Sequence, residues 1–313
     1  MEVPIQDPHY DASVARHFLT GDELTSDELA GLLARAAELK QDRLASRALE
    51  GRTVALVFEK PSTRTRVSME VGVNQLGGSP IVLRGDETQL SRGESARDTA
   101  IVLSRYVDAI AVRTGAHELI EELAEHADVP IINLLSALHH PCQALADLQT
   151  LQERFGRLDG LRLAYTGDGN NVANSLMLLG AKAGVHVAVA TPPELRPDQA
   201  LSASLDGAVT LTDNPAEAAA GAHAIYTDVW VSMSDDQQEA AGRRALLEPY
   251  RLDEALLANA RDDAIALHCL PAHPGEEISA GVLYGDRSAV WDQAENRLHA
   301  QKALLEFLVA GSG

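Results

Sequence analysis

Lysine is nearly missing from this chain. Only four of its 26 basic residues are lysine (Lys40, Lys60, Lys182 and Lys302), against 46 acidic residues. The resulting formal charge of −20 repels phosphate backbones and anionic headgroups, which argues against nucleic-acid and membrane partners. An acidic, lysine-poor composition is read as adaptation to high salt. GC-rich coding also exchanges Lys for Arg, but codon bias by itself does not produce −20. Apolar runs are short throughout, and none approaches the roughly 18 residues of a membrane span. Cysteine is scarce too: Cys142 and Cys269 stand far apart. The segment Met1–Tyr10 carries Glu2, Asp7 and two prolines, without the basic and apolar stretches of an export signal. Reduced thiols in a cytoplasmic protein are expected, not a disulfide. Repeats, low-complexity tracts and flexible linkers are likewise missing.

What is present is 313 residues with 45% hydrophobic content, enough for two domains that each bury a core. Thr25-Ser26-Asp27-Glu28 heads an apolar series (Leu29, Leu32, Leu33, Ala36, Leu39) at helical spacing. Its acidic residues sit where a helix start favours them. Buried-strand runs are read at Thr53–Phe58, Pro80–Leu83, Ala109–Val112, Ile131–Leu134, Leu161–Tyr165, His186–Ala190, Ala224–Thr227 and Ala264–His268. Helical patterns lie between most of them. The alternation predicts an α/β chain of two domains, each a parallel-sheet core flanked by helices and joined by long interdomain helices. The change-over falls near Ala144–Gly160. The last helix, about 295–309, has no strand to follow and is expected to pack back on the first domain.

Ligands of open parallel sheets bind beyond the carboxyl ends of strands, and six polar clusters lie there. Ser62-Thr63-Arg64-Thr65 opens a helix after Pro61; free N–H groups, the positive helix end and Arg64 suit phosphate, although a capping serine is the plainer reading. Arg113 follows the strand at 109–112 and could reach the same anion. His139-His140-Pro141-Cys142-Gln143 offers an imidazole and an amide for a carbonyl group. Zinc is the competing use, with unsuitable spacing, and packing is the plainer role of Cys142. Gly167-Asp168-Gly169-Asn170-Asn171 lacks both the third glycine and the ribose-binding acid of a dinucleotide site. It presents Asn171 for an amino-acid carboxylate or amine. Asp228 suits a cationic amine, or a helix cap. Cys269, in His268-Cys269-Leu270-Pro271, could be a nucleophile, a proton acceptor or a buried thiol, and no partner completes a covalent mechanism.

Taken in order, these motifs resemble those of the aspartate/ornithine carbamoyltransferase family, and the ornithine branch in particular. The likeness rests on Ser62-Thr63-Arg64-Thr65, His140-Pro141-Cys142-Gln143, Gly167–Asn171, Asp228–Met233, His268–Pro271 and Ala294-Glu295-Asn296-Arg297, from about Arg16 to the C-terminal helix. The resemblance implies a carbamoyl-phosphate-binding domain at 1–148 and an ornithine-binding domain at 149–313. It implies that Ser62, Thr63, Arg64, Thr65, Gln89 and Arg113 surround the phosphate. His140, Pro141, Cys142, Gln143 and Arg297 would surround the carbamoyl group, with Arg297 polarising it. Asn171, Asp228, Ser232, Met233, Cys269 and Leu270 would bind ornithine. Arg113, His140, Asp228, Cys269 and Arg297 are the catalytic set it implies. It also implies no cofactor or metal, and a homotrimer or a multiple of three. Two departures stand out: Ser234 where the family usually has glycine, and Pro274 where arginine is common. An aspartate or putrescine acceptor, or a non-catalytic regulatory paralogue, are the alternatives.

Overall fold

The computed structural model describes residues 15–231 and 237–311. Helix α1 (Ser26–Gln41) starts at Thr25 in a reciprocal cap. The Thr25 hydroxyl accepts from the Glu28 N–H, and the Glu28 carboxylate accepts from the Thr25 N–H at 2.8 Å. Its buried face is Leu29, Leu32, Leu33, Ala36 and Leu39, the series read from the sequence. There follow β1 (Thr53–Phe58), α2 (Thr63–Gln75), β2 (Ser79–Arg84), α3 (Ala96–Ser104), β3 (Ala109–Arg113), α4 (His117–His126) and β4 (Ile131–Leu135). Helix α5 (Pro141–Phe155) leads to β5 (Arg162–Thr166), α6 (Asn171–Lys182), β6 (His186–Ala190), α7 (Gln199–Ser204) and β7 (Val209–Thr212). The chain continues through α8 (Pro215–Ala219), β8 (Ala224–Thr227), α9 (Gln237–Leu247), α10 (Glu254–Leu257), β9 (Ile265–His268), α11 (Ala280–Leu283) and α12 (Val290–Leu305).

The strands form two parallel sheets, in the orders β2-β1-β3-β4 and β7-β6-β5-β8-β9. Two differences from the expected elements have physical causes. Strand β7 was not anticipated: it is four residues long, an edge strand, and only partly buried, so it shows no apolar run. Helix α12 starts at Val290, earlier than the expected 295, and ends in a π-helical turn at Glu306–Ala310. The anticipated division at 148/149 lies inside α5, which is continuous.

Helices α5 and α12 run side by side, and α12 also packs on α1 and α2, so the last helix lies against the first sheet's layer. One continuous core results, with Leu56 and Ile132 of the first sheet, Leu145 and Leu148 of α5, Tyr165 and Val187 of the second sheet, and Leu304 of α12. Burying each such Leu or Val contributes about 1.5–3 kcal/mol. Lys302 is fully buried in that layer, donating to the Arg43 carbonyl (2.7 Å) and Gln75 (3.0 Å). Among the described residues, no helix is long and apolar enough to cross a membrane.

Each sheet has one place where neighbouring strands send their connections in opposite directions: β1/β3 in the first and β5/β8 in the second. Such switch points open a crevice at the strand ends. All six clusters read from the sequence stand at strand ends, and four of them at these two switch points.

Candidate functional site

At the first switch point, Phe58 is paired with Arg113, so the loop after β1 and the guanidinium ending β3 are neighbours by register. Ser62 occupies the position before α2, yet its hydroxyl makes no capping hydrogen bond. The plainer reading of a capping serine therefore fails, and the hydroxyl and first N–H groups of α2 remain for a ligand. Thr63 and Arg64 are exposed there, whereas Thr65 is fully buried. Its Oγ1 accepts from Arg297 Nη2 at 2.5 Å and from Arg113 Nη1 at 3.5 Å. Helix α12 thus delivers Arg297 from 232 residues away.

Three guanidiniums crowd this point. Burial, then Arg297, pulls the Arg113 pKa down to about 10, with Arg64 adding to the repulsion. Burial likewise lowers that of Arg297, and Arg64 pushes in the same direction. Like charges crowded together in this way suit a bound anion.

His140 precedes α5 and is buried; its backbone N–H donates to Ser175 Oγ of α6 at 2.7 Å. Desolvation, then Arg297 and Arg113, holds its pKa well below the usual histidine range, so the imidazole is neutral. Four buried polar atoms here have no hydrogen-bond partner among the described residues: Arg113 Nε, Arg297 Nε, His140 Nδ1 and Gln143 Oε1. Unpaired buried groups are rare and costly, so four around one crevice point to a missing ligand. The two guanidinium N–H groups suit an anion, the imidazole a carbonyl oxygen, and the Gln143 oxygen an amine hydrogen. Pro141 occupies the first helical position, where its missing N–H costs nothing. The Cys142 side chain is placed elsewhere: it is wholly within the core, and its thiol donates to the Asn133 carbonyl at 3.4 Å. Burial pushes that thiol up to about 12, so Cys142 packs and does not react. Gln89 starts a 3-10 turn at Gln89–Arg92 and is exposed. A cavity of about 560 Å³ also touches this loop, but it opens toward Val82 and Arg84 of β2, and Arg113 does not line it.

The second switch point supplies the other half. Thr227 pairs with both Thr166 and His268, which makes Asp228 and Cys269 side-by-side residues just past two adjacent strands. Asp228 is buried and caps no helix. Its Oδ1 accepts from the Cys269 thiol (2.8 Å) and the Val229 N–H (2.8 Å), and its Oδ2 from Asn170 Nδ2 (2.9 Å). Asn170 is itself the cap of α6, accepting from the Val172 and Ala173 N–H groups. Asn171, the expected amino-acid ligand, donates to the Ser136 carbonyl at 2.6 Å, bridging to the loop after β4. Asp168 pairs with Arg243 of α9. Cys269 keeps some accessible surface, but burial first and Asp228 second drive its pKa well above the ordinary thiol value. It rests as a thiol, not a thiolate nucleophile. Leu270 takes a left-handed backbone (φ 57°) before a cis Pro271, and its N–H donates to His268 Nδ1. Ser232 and Met233 lie outside the described residues.

The two halves face each other. Cys269 is near enough to Arg113 and Arg297 to act on the pKa of both. Among the described residues, Asp228, His268 and Cys269 form a group whose possible ligand atoms lie within 4.8 Å of one another. Each is already engaged, His268 with Leu270 and Glu277 and Cys269 with Asp228, so a metal would have to displace those bonds. Sequence reasoning missed Asp147 and Gln293, which are buried and hydrogen-bonded to each other at 2.7 Å behind Gln143. Asp147 stands four residues after Gln143, the helical spacing that pairs an amide with a carboxylate, whereas nothing in the spacing marks Gln293, 146 residues further on.

Comparison with known proteins follows the same division. Residues 16–153 match the family model "Aspartate/ornithine carbamoyltransferase, carbamoyl-P binding domain", and residues 159–308 match its "Asp/Orn binding domain" counterpart. The ornithine carbamoyltransferase of Acidothermus cellulolyticus is 56% identical over 306 residues, covering 95% of this chain and 98% of that relative. That of Parafrankia sp. is 57% identical over 306 residues, covering 94% and 96%. Among solved structures, the ornithine carbamoyltransferase from Pyrococcus furiosus superposes with a TM-score of 0.90 at 45% identity, covering 96% of this chain and 98% of that one.

Proposed function

Because the chain belongs to the aspartate/ornithine carbamoyltransferase family, we propose that its crevice transfers the carbamoyl group of carbamoyl phosphate to the δ-amine of L-ornithine. The observation that carries this reading is the set of unpartnered groups, Arg113 Nε, Arg297 Nε, His140 Nδ1 and Gln143 Oε1, opposite Asp228 and Cys269. Ser62, Thr63, Arg64, Thr65 and Arg113 hold the phosphate, and His140, Gln143 and Arg297 hold the carbamoyl group. Asp228, Cys269 and Leu270, with Asn171, Ser232 and Met233, receive ornithine. Gln89 completes the phosphate side from the first domain, near contacts between subunits.

The chemistry follows from these charges. Ornithine's δ-amine is mostly protonated near neutral pH and attacks only after losing a proton. The arginine cluster favours the neutral amine, since an ammonium beside guanidiniums is repelled. Its lone pair forms the new N–C bond, and negative charge moves onto the carbamoyl oxygen, where His140 and Arg297 stabilise it. The C–O bond to phosphate then breaks as the attacking nitrogen gives its extra proton to the departing phosphate oxygen, and the resulting phosphate dianion is stabilised by Arg64 and Arg113. L-citrulline and phosphate are the products. Cys269, held as a thiol, donates to Asp228 and lines the amine pocket instead of acting as a nucleophile. The reading needs no metal or organic cofactor.

The reading also places the enzyme in arginine metabolism, biosynthetic or catabolic, in the cytoplasm, where its two free thiols remain reduced. It makes it a homotrimer or a multiple of three, and assigns the −20 charge to a high-salt setting. A citrulline assay with ornithine, aspartate and putrescine as separate acceptors tests the substrate, and turnover with aspartate alone would overturn it. Light scattering that returned a monomer in high salt would remove the trimer.

A further inference from the structure

Behind the anion half lies a chain of side-chain amides whose orientation the geometry dictates. The His268 backbone N–H can only donate, and it donates to Gln293 Oε1 at 2.9 Å. Gln293 must therefore turn its Nε2 away from β9, and that nitrogen donates to Asp147 Oδ1 at 2.7 Å. The same Oδ1 accepts from Gln143 Nε2 at 2.8 Å. If Gln143 flipped, its oxygen would face the Asp147 oxygen, two acceptors without a hydrogen between them. Gln143 Oε1 is consequently the atom left unpartnered, in the first turn of the helix that His140 opens. Asp147 Oδ2 has no hydrogen bond to any described residue; the Tyr226 hydroxyl is close enough to exert a weak pull without closing one. Any proton on the carboxyl would thus sit on Oδ2, leaving Oδ1 an acceptor. Asp147, Gln143 and Gln293 are all buried.

We propose that Asp147 is a positioning residue that locks the Gln143 amide with its oxygen toward the carbamoyl amine and, through Gln293, ties that orientation to the strand end bearing Cys269. This rests on the carbamoyl-transfer reading. A wrong amide orientation would present N–H groups to the carbamoyl NH2, repelling the substrate; the locked one accepts a hydrogen from it. A carbonyl-bearing substrate without that NH2 gains nothing from the lock. Asp147 touches no substrate and acts only through Gln143.

The test measures steady-state constants for both substrates in Asp147→Leu and Asp147→Asn. Asn keeps an oxygen that accepts from both glutamines, so it should stay close to wild type. Leu, which frees the amide, should raise KM for carbamoyl phosphate about tenfold to a hundredfold, the loss expected when a buried hydrogen-bonding group is left unpaired. KM for ornithine should move much less. Asp147→Ser, too short to reach both amides, replaces Leu if that variant fails to fold. The double variant with Gln143→Ala should bind carbamoyl phosphate no worse than Gln143→Ala by itself, because the lock has nothing left to hold. An unchanged KM in the Leu or Ser variant, an Asn variant as impaired as Leu, or additive losses in the double variant each overturn the proposal. A wild-type protein that forms no citrulline would instead overturn the functional reading, so the two failures are distinguishable.

Discussion

Removing Arg64 separates ligand affinity from fold stability. The side chain is exposed at the start of α2, and its charge repels Arg113 and Arg297. Arg64→Ala therefore relieves repulsion in the free protein, and its melting temperature should change by less than about 2 °C, as for a surface substitution of about 0.5 kcal/mol in a chain of this size. Anion binding should respond oppositely. Losing one charge-assisted contact costs about 1.5–3 kcal/mol, a roughly 10- to 150-fold weaker Kd. With inorganic phosphate at about 100 times the wild-type Kd, binding stabilises the wild type by about 2.7 kcal/mol, or roughly 5–10 °C. At the same phosphate concentration a 100-fold weaker variant is only half saturated and gains about 0.4 kcal/mol, roughly 1 °C. The assay is thermal unfolding in phosphate, against sodium chloride of matched ionic strength, with calorimetry of carbamoyl phosphate at 25 °C alongside. Equal phosphate-specific gains in wild type and variant would show that Arg64 is not part of the anion site.

Cys269→Ser should lower turnover and weaken ornithine binding without unfolding the protein, because the thiol's bond to Asp228 lies in the proposed amine pocket; rates at saturating ornithine equal to wild type would reduce Cys269 to packing. Since burial and Asp228 hold Cys269 protonated, iodoacetamide should label it far more slowly at pH 8 than a small free thiol, and fast labelling would refute the raised pKa. Burial raises Asp147 to about 7, with the glutamine bonds, Arg297 and Tyr226 opposing. The protonated form is thus favoured in the folded state, and its stabilising contribution fades as pH rises through about 7. The melting temperature of Asp147→Asn relative to wild type should accordingly climb between about pH 4 and about pH 7 and level off above, and a pH-independent difference would count against it. Melting temperature should also rise from 0.1 M to about 3 M chloride as the Debye length shortens and the −20 charge is screened, and a flat curve would exclude salt adaptation.

Local chemistry was legible along the chain, because a strand, a turn and a helix start are made by neighbours. The capping box at Thr25–Glu28, the loop at Ser62–Thr65 and the His140–Gln143 helix start were all read from contiguous residues. An alternation of short apolar runs with helical patterns sufficed for two covered parallel sheets. Strand β7 escaped because an edge strand need not be apolar, and α12 was read late because its first turn breaks the apolar pattern, burying the polar Gln293 and exposing Trp291. What only the tertiary structure decided is which distant groups meet. Strand order sets Arg113 beside the Ser62–Thr65 loop and Asp228 beside Cys269. The packing of α12 on α5 and α2 brings Arg297 to Thr65 and Gln293 to Asp147, partners 232 and 146 residues apart. Such pairings depend on how whole elements stack, and a residue's immediate neighbours carry no trace of that. Gln293 was invisible for this reason, as was the spent hydrogen bond of Asn171: a side chain's free lone pair exists only once every other partner has been placed.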